Sequence, residues 1–518
     1  MGLMAPGSRS ALTRPALVGA LSSALLLTLA QPPFSVLPLA FLSLVPLALG
    51  LASLPPGPVG RWQATLLGLL FGVAFWGFAL IWVPLEVGPF FPWAYSGYAL
   101  LLVLLGSLFA LFGWMAHFFH KTKAIPLGLA LPLAWVGVEW AKAHFPFGLA
   151  FPWLGLGVTL TDWPHFLGLA EWAGEEGVAF WLSGVNGLVA GRILGRGSRR
   201  KVAPWLLLGG VVLLPSVLGV VRARTLPLET GPRVVVVGTH VPPELRGSPA
   251  AAVLEAMAQV EEALRGFHSG TIDLVVLPEA TVPFPMDGQE AIEAREILAQ
   301  MISELDAPIV VGAFGRADSE AAEGVLTNSA YLLSPWDPQI QRYDKSRLVP
   351  GMESGSYRAG SGRVTLKAGE WVVGPLLCYE SIFGGLAREG RRAGAQLLLN
   401  LSSDIWFGRD NAGVGSLFLH QHPAHLVLRA VENRTPVARA ANGGLSFLID
   451  PTGHIISEVI PPTGGVTVGR VSIYQGLTLF SRTGDWVGPA SALLCILLLF
   501  VDAGPSMRRR FRRPRVDS

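Results

Sequence analysis

Three side chains of complementary chemistry follow strand-like segments of this sequence. Cys378 ends an apolar run, Glu279 follows a second apolar run and a proline, and Lys345 follows a Tyr-Asp pair. A thiol with a pKa of about 8.5 needs help to attack at neutral pH. A carboxylate can take its proton, and an ammonium can stabilise the thiolate and then the oxyanion of a tetrahedral intermediate. The set therefore suits acyl transfer, with Cys378 as nucleophile, Glu279 as base and Lys345 as electrophile.

Each of these residues also has an ordinary structural interpretation. Free cysteines are most often small buried hydrophobic side chains, and single charged residues are mostly solvated. Glu279 would then be a loop acid, and Lys345 would be a surface partner of Asp344. The combination favours chemistry, because α/β proteins place reacting groups where rigid strands open into loops.

The segments around these residues alternate strand-like and helix-like patterns over residues 233–475, which predicts an α/β layered domain. Strands are predicted at 233–237, 272–277, 308–312, 329–333, 364–366, 371–377, 396–399, 437–440 and 446–450. Helices are predicted at 249–267, 289–305 and 423–432, the last with its proline in the first turn. The tetrapeptide 450–453, Asp-Pro-Thr-Gly, predicts a hairpin turn.

The composition is that of a membrane protein. Hydrophobic residues make up 51% and charged residues 14% of the 518 residues, whereas ordinary globular chains are about 25% charged. Crossing a bilayer takes about 17–25 apolar residues. Spans are predicted at 11–30, 36–54, 62–83, 94–119, 125–143, 177–195, 203–221 and 486–502. The first is interpreted as a span and not as a cleaved signal peptide, because further spans follow at once and its apolar run is long for a signal.

The positions of Lys and Arg predict the orientation of these spans. One side carries Arg9, Arg14, Arg61, Lys121, Lys123, Arg192, Arg196, Arg199, Arg200, Lys201 and the arginine-rich segment 508–515. The short loops of the other side, 31–36, 84–93 and 144–164, contain no Lys or Arg. Lys142, Arg222 and Arg224 are exceptions. By the positive-inside rule both termini are predicted to be cytoplasmic.

This orientation predicts a seven-span membrane domain over residues 1–222 and an extracytoplasmic catalytic domain over residues 225–480. Residues 486–518 would form a C-terminal span with a basic cytoplasmic tail. Because the terminal arginines adjoin a span, they are interpreted as a topology anchor, and no nucleic-acid partner is predicted.

Cofactor sites have little support in the sequence. His420, His422 and His425 lie close together, but no Cys or acid completes a zinc-like set at the usual spacing. Glycine-rich pieces lack the strand and helix that a dinucleotide-binding loop requires. Of the two cysteines, Cys495 lies in the apolar C-terminal run, so Cys378 is predicted to be a free thiol. No metal and no cofactor are predicted.

At the three reactive residues the sequence resembles the nitrilase (carbon–nitrogen hydrolase) superfamily. Its glutamate, lysine and cysteine motifs resemble Leu277-Pro278-Glu279, the segment YDKSRLVP at 343–350 and Cys378-Tyr379-Glu380. The segments SSDIWFG at 402–408 and RAVENR at 429–434, Asn328-Ser329 and Asn442-Gly443-Gly444 also fit. The motif sequences are most similar to those of one branch, the bacterial apolipoprotein N-acyltransferases, and this resemblance covers essentially the whole chain.

The resemblance implies an αββα sandwich beside about eight membrane spans, in the bacterial cytoplasmic (inner) membrane. It also implies ping-pong chemistry, in which Cys378 takes an acyl chain from a phospholipid and passes it to the N-terminal amine of a diacylglyceryl-cysteine lipoprotein. The implied catalytic residues are Glu279, Lys345 and Cys378. Supporting roles are expected for Glu353, Tyr379 and Glu380, and substrate contacts for Asn328, Trp406 and Phe407.

Two departures and two rival functions remain. Residues 351–354 read GMES where the family usually carries FGEY, and residues 238–242 replace a Gln-containing motif. One rival is a membrane-tethered amidase that shares the three reactive residues but transfers to water. The other is a transporter with an inactive sensor domain, for which Glu139 and Lys142 are modest candidates as charges lining a path.

Overall fold

The computed structural model describes residues 12–146, 148–195, 203–317, 325–362, 365–407 and 412–500. Within them the helices are α1 Arg14–Ala30, α2 Leu37–Ala40, α3 Val45–Ser53, α4 Pro58–Ala79, α5 Trp93–Lys121, α6 Leu127–Ala143, α7 Ala170–Leu194, α8 Ala203–Thr225, α9 Pro249–Leu264, α10 Ile292–Leu305, α11 Gly384–Arg392, α12 Ala412–Asn433, α13 Leu479–Thr483 and α14 Val487–Phe500. The strands are β1 Glu229–Gly238, β2 Leu274–Val276, β3 Val282–Pro285, β4 Ile309–Arg316, β5 Leu326–Leu333, β6 Gln341–Asp344, β7 Leu366–Ala368, β8 Trp371–Leu377, β9 Leu397–Ser403, β10 Val437–Asn442, β11 Phe447–Ile449 and β12 Gly465–Ile473.

The amino-terminal part is a helical bundle. Among the described residues, four helices are long and apolar enough to cross a membrane: α4, α5, α7 and the segment Trp205–Thr225 of α8. The other predicted spans form shorter helices, namely α1, the α2–α3 pair, α6 and α14. Because a perpendicular crossing takes about 20 residues, the count of eight spans stays a prediction. Arg9, the basic residues 196–201 and the arginine-rich tail lie outside the described residues.

The second part is a sandwich of two sheets. One sheet has the order β12-β1-β2-β4-β5-β6, with β3 beside β4, and the other has the order β11-β10-β9-β8-β7. Successive side chains of a strand point to opposite faces. Val234 and Val236 of β1 therefore face the other sheet, whereas Val235 and Val237 pack against α9 and α10. Helices α11 and α12 cover the outer face of the second sheet, so the predicted α/β layers are confirmed as αββα.

Several predicted elements are corrected by the structure. The helix predicted at 423–432 begins at Ala412, so Pro423 lies in its interior and not in its first turn. An interior proline costs about 3 kcal/mol, and here the buried apolar face of α12 offsets that cost. Strands β3, β6 and β12 were not predicted. The strand predicted at 364–366 lies partly outside the described residues, and the observed strand is β7.

A continuous hydrophobic core joins the bundle to the sandwich. One cluster of buried side chains runs from α1 through α7 and on into α11 and α12. Buried ion pairs reinforce this junction. Arg429 Nη2 on α12 lies 2.9 Å from Glu175 Oε2 on α7, and Arg434 Nε lies 2.5 Å from Glu171 Oε2. Arg429 Nε also lies 3.1 Å from Glu432 Oε2. The sheet that carries Cys378 is therefore docked on the bundle through α12.

Replacing Arg429 with Met should lower the thermal midpoint of the detergent-solubilised protein. The substitution leaves Glu175 and Glu432 without their shared cation, and breaking a buried ion pair in this way costs about 3–5 kcal/mol. Arg265→Met is the matched control, because its pair with Glu262 is 75% and 67% exposed and such pairs contribute about 0–1 kcal/mol. Equal thermal midpoints for the two variants would show that the α7–α12 pairs do not stabilise the junction.

Candidate active site

The three reactive side chains converge at neighbouring ends of the two sheets. Glu279 follows β2, Lys345 directly follows β6 and Cys378 directly follows β8. Glu279 Oε2 accepts a hydrogen bond of 3.0 Å from the backbone N–H of Ser403 at the end of β9, so this acid of one sheet reaches the other. The chain turns sharply beside two of the reactive residues: Ala280 has φ 52° and Cys378 has φ 45°.

Lys345 is the centre of the site. Its side chain is 1% exposed, and its Nζ lies 2.9 Å from Glu279 Oε1 and 2.8 Å from Glu353 Oε1. Burial alone would lower the pKa of Lys345, but the two carboxylates raise that pKa well above its usual value. The ammonium is therefore charged throughout the neutral range and can stabilise a developing anion.

The two acids beside Lys345 have pKa values shifted in opposite directions. Burial and then the charge of Glu353 raise the pKa of Glu279, against the opposing effect of Lys345. For Glu353 burial also acts upward, but Lys345 and the backbone N–H of Val349, at 2.8 Å, bring its pKa below the usual value. Glu279 is thus the acid that accepts a proton more readily, as a general base must, while Glu353 stays ionised.

The Cys378 thiol is half-buried and belongs to a free cysteine. Burial raises its pKa most, the negative charge of Glu279 raises it further, and Lys345 opposes both effects. The resting sulfur is therefore protonated at neutral pH. A nearby base is needed to generate the thiolate. The carboxylates of Glu279 and Asp404 both act on the thiol, but Asp404 is ion-paired with Arg439, which leaves Glu279 as the candidate base.

Glu380 and Tyr379, for which supporting roles are expected, have defined contacts. Glu380 is fully buried and accepts hydrogen bonds from Tyr343 Oη at 2.8 Å, Ser346 N–H at 2.7 Å and Leu377 N–H at 2.8 Å. It therefore ties the strand before Cys378 to the loop after Lys345. Tyr379 Oη donates to the carbonyl of Ala150, in the loop that follows α6, at 3.1 Å.

Asn328 lies inside the site. Its Nδ2 donates to Glu279 Oε1 at 2.8 Å and to Glu353 Oε1 at 2.9 Å. Within the described residues its buried Oδ1 has no hydrogen-bond partner. The amide therefore links the two acids and leaves an acceptor free.

Trp406 and Phe407 face the membrane domain. The Trp406 ring lies 5.5 Å from both Phe90 and Phe91 in the loop between α4 and α5. The Phe407 ring lies 3.6 Å from Phe418 of α12 and 5.3 Å from Trp82. Substrate contacts by Asn328, Trp406 and Phe407 stay predictions.

A polar cluster beside the thiol was missed by sequence reasoning. Cys378 Sγ, a carboxylate oxygen of Asp404 and a ring nitrogen of His422 lie within 4.8 Å of one another. Asp404 is ion-paired with Arg439; burial would raise its pKa, but Arg439 brings it down to about 2. Asp404 lies in the SSDIWFG motif, and His422 is one of the three histidines at 420–425. Because the two are far apart along the chain, the sequence gave no signal that they meet. His420 is exposed, and the absence of a metal stays a prediction.

Comparisons with known proteins identify the family. Residues 23–188 match the model of the apolipoprotein N-acyltransferase N-terminal domain, and residues 242–474 match that of carbon-nitrogen hydrolase. An apolipoprotein N-acyltransferase of Geobacter metallireducens is 31% identical over 515 residues, which covers 93% of this chain and 94% of the relative. The chain belongs to the apolipoprotein N-acyltransferase family.

Other members of this family align over similar lengths. The apolipoprotein N-acyltransferase of Azotobacter vinelandii is 29% identical over 520 residues, covering 94% of this chain and 95% of the relative.

A solved CN-hydrolase superfamily protein of Xanthomonas campestris is 22% identical, covers 47% of this chain and 91% of its own, and has a TM-score of 0.35. Membership of this acyltransferase family confirms the resemblance seen in the motifs and favours an acyltransferase over the amidase and the transporter.

Replacing Glu279 with Gln should shift the pH profile of Cys378 alkylation to lower pH. Glu279 raises the thiol pKa, so removing its charge makes the thiolate available at lower pH. The measurement is the rate of iodoacetamide labelling of Cys378 as a function of pH. Glu290→Gln, at an exposed acid, is the control and should leave the midpoint unchanged. A midpoint that stays in place or rises in Glu279→Gln would contradict the electrostatic coupling of the two residues.

Proposed function

We propose that this enzyme moves a fatty acyl chain from a membrane phospholipid, through a thioester on Cys378, to the N-terminal amine of a diacylglyceryl-cysteine lipoprotein. The observation that carries the proposal is the buried Lys345 ammonium, held between Glu279 and Glu353 beside a protonated thiol. The family name supplies the lipoprotein acceptor and the acyl transfer to nitrogen.

In the first half-reaction Glu279 takes the proton of Cys378, and the sulfur attacks an ester carbonyl of the phospholipid. The oxyanion that develops is stabilised by the Lys345 ammonium. When the carbon–oxygen bond breaks, the protonated Glu279 returns its proton to the departing oxygen. A lysophospholipid leaves, and the acyl chain remains on Cys378.

In the second half-reaction Glu279 takes a proton from the acceptor amine, which attacks the thioester carbon. Lys345 again stabilises the oxyanion. The carbon–sulfur bond then breaks, and the Cys378 sulfur recovers the proton from Glu279, which restores the resting enzyme. The product is an amide. A membrane-tethered amidase would use the same three residues but would deliver the acyl group to water.

The remaining site residues have supporting roles in this proposal. Glu353 keeps Lys345 charged, and Glu380 fixes the loop after Lys345 through its bonds to Ser346. The free Oδ1 of Asn328 offers an acceptor to the substrate amine. Trp406 and Phe407, which contact aromatic residues of the membrane domain, line the path of the acyl chain.

The location of the site is part of the proposal. We assign residues 1–222 to seven spans, residues 225–480 to an extracytoplasmic catalytic domain, and residues 486–518 to a final span with a cytoplasmic tail, in the bacterial inner membrane. Exposed tryptophans at the helix ends nearest the sandwich, Trp93, Trp172 and Trp486, support it, because such rings favour the membrane–water interface. Both lipid-linked substrates would meet the site there.

Purified protein incubated with acyl-labelled phospholipid should acquire label on Cys378. This label should be labile to hydroxylamine and should pass to the amine of a diacylglyceryl-cysteine peptide. Cys378→Ala should take no label. Cys495→Ala should label normally, because Cys495 lies in α14 with its Sγ 3.2 Å from the Leu133 carbonyl. Transfer of the label only to water would support the amidase, and labelling of Cys378→Ala would exclude the thioester.

In the same assay Glu279→Gln should slow transfer to the peptide by about 10²–10⁴-fold, the usual cost of losing a general base. The thiolate is more available in this variant, so faster alkylation together with slower transfer would separate proton transfer from nucleophile activation. Glu290→Gln is the control and should transfer at the normal rate. Normal transfer by Glu279→Gln would contradict its role as the base.

A topology test uses cysteines placed on exposed residues of a protein that carries Cys378→Ala and Cys495→Ala. Gln339→Cys lies in the catalytic domain, and Thr122→Cys lies at the opposite end of α5 from Trp93. In cells with a permeable outer envelope, a membrane-impermeant maleimide should label the first cysteine and should reach the second only after the inner membrane is opened. The reverse pattern would invert the proposed orientation.

A further inference from the structure

We propose that His422 is a positioning residue, which holds the backbone of Cys378 in the conformation from which the thiol reacts. The inference rests on the proposed thioester chemistry and extends it beyond the Glu-Lys-Cys set. His422 lies on α12, so the position of the nucleophile is also set by the helix that docks the sandwich on the membrane domain.

The backbone at Cys378 needs such a support. Its φ of 45° lies in the left-handed region, which costs a non-glycine residue about 1–3 kcal/mol and persists only when the surroundings impose it. Cys378 is the first residue of the 3₁₀ turn Cys378–Ile382, directly after β8. A different backbone conformation at this residue would change the direction in which the Cys378 side chain leaves the turn.

His422 contacts this turn directly. Its Nε2 lies 3.0 Å from the carbonyl oxygen of Cys378 and 3.1 Å from Ser381 Oγ. Because a carbonyl oxygen only accepts hydrogen bonds, Nε2 carries the proton and donates it. The imidazole therefore restrains the first and the fourth residue of the turn.

The imidazole is itself held in place. Its Nδ1 lies 3.5 Å from Asp404 Oδ1 and 3.5 Å from Arg439 Nη2. Asp404 is fixed by its ion pair with Arg439 and by a hydrogen bond of 2.7 Å from Ser402 Oγ. The ring of His422, 1% exposed, lies nearly parallel to the ring of Trp153, with a centroid distance of 5.9 Å and an angle of 19°. These neighbours restrict the orientation of the imidazole.

The residue before His422 ties this arrangement to the membrane domain. Gln421 Oε1 accepts hydrogen bonds from Trp82 Nε1 and Trp153 Nε1, each at 3.2 Å. Gln421 Nε2 donates to the carbonyl of Ala79, the last residue of α4, at 3.2 Å. Adjacent residues of α12 thus contact the bundle and the nucleophile, so the bundle supports the geometry of the thiol.

The test compares two amide replacements that place a donor at different ring positions. The Nε2 of His422→Gln can replace the imidazole Nε2, whereas the amide of His422→Asn reaches only the position of Nδ1. At saturating phospholipid, the rate of acylation of Cys378 should fall about 100-fold in His422→Asn and His422→Ala, because a misplacement of about 1 Å can cost 10²-fold. His422→Gln should stay within about tenfold of the wild type, and KM for phospholipid should change by less than about threefold in all variants.

His420→Ala is the control, because His420 is exposed on the same helix and its Nδ1 lies 2.8 Å from the carbonyl oxygen of Ser416, one turn earlier in that helix. Its acylation rate should equal that of the wild type. Thermal midpoints of the Gln and Asn variants are measured in parallel. Equal acylation rates in these two variants would overturn the inference, and so would a failure of His422→Gln to fold, because the Gln amide keeps the hydrogen bond to Cys378.

Alkylation of Cys378 by iodoacetamide separates this inference from the proposed function, because it needs no lipid. The His422→Gln rate should match the wild type, and the Asn and Ala rates should differ from it by about tenfold or more. If the wild type takes no acyl label but His422→Gln is alkylated like the wild type and the Asn and Ala variants are not, the proposed function fails and the inference stands. If acylation proceeds and all the variants are alkylated at the same rate, the inference fails and the function stands.

Discussion

A buried ammonium must be matched by carboxylates within hydrogen-bond reach, and the rest of the site depends on this constraint. Removing Lys345 from water costs several kcal/mol, which its contacts with Glu279 and Glu353 offset. Because Lys345 follows β6 and Glu279 follows β2, their contact joins the ends of two separate strands. The two acids are also unequal: Glu353 has the lowered pKa and Glu279 the raised one, so one stays ionised while the other can exchange a proton with the thiol.

The second constraint is mechanical. Packing is continuous from the bundle into α11 and α12, and the pairs Arg429–Glu175 and Arg434–Glu171 lie buried in that junction. The sandwich is therefore held firmly against the bundle. Aromatic contacts of Trp406 and Phe407 with the loop after α4 bring a segment of the site beside the membrane domain, which suits substrates anchored in a bilayer.

Much of this site follows from the sequence, because chemistry and position coincide along the chain. Lys345 and Cys378 directly follow strands, Glu279 follows β2 after two intervening residues, and each motif is local. The cluster of Asp404, His422 and Arg439 has no such signal. Asp404 directly follows β9, His422 lies on α12 and Arg439 lies on β10, so the three meet only through tertiary packing. Predictions also missed β12, which is defined by its pairing with β1, and the amino-terminal half of α12, whose interior proline suggested a later start.

The account depends on one sulfur carrying the acyl chain, and intact-protein mass spectrometry tests this most directly. Wild-type enzyme mixed with a phospholipid of known chain length, without an acceptor, should gain the mass of one acyl group. Digestion should locate this group on the peptide that contains Cys378, and hydroxylamine should remove it. Continued transfer to a diacylglyceryl peptide with no acyl group on Cys378 at any time, or with the group on another residue, would contradict the account.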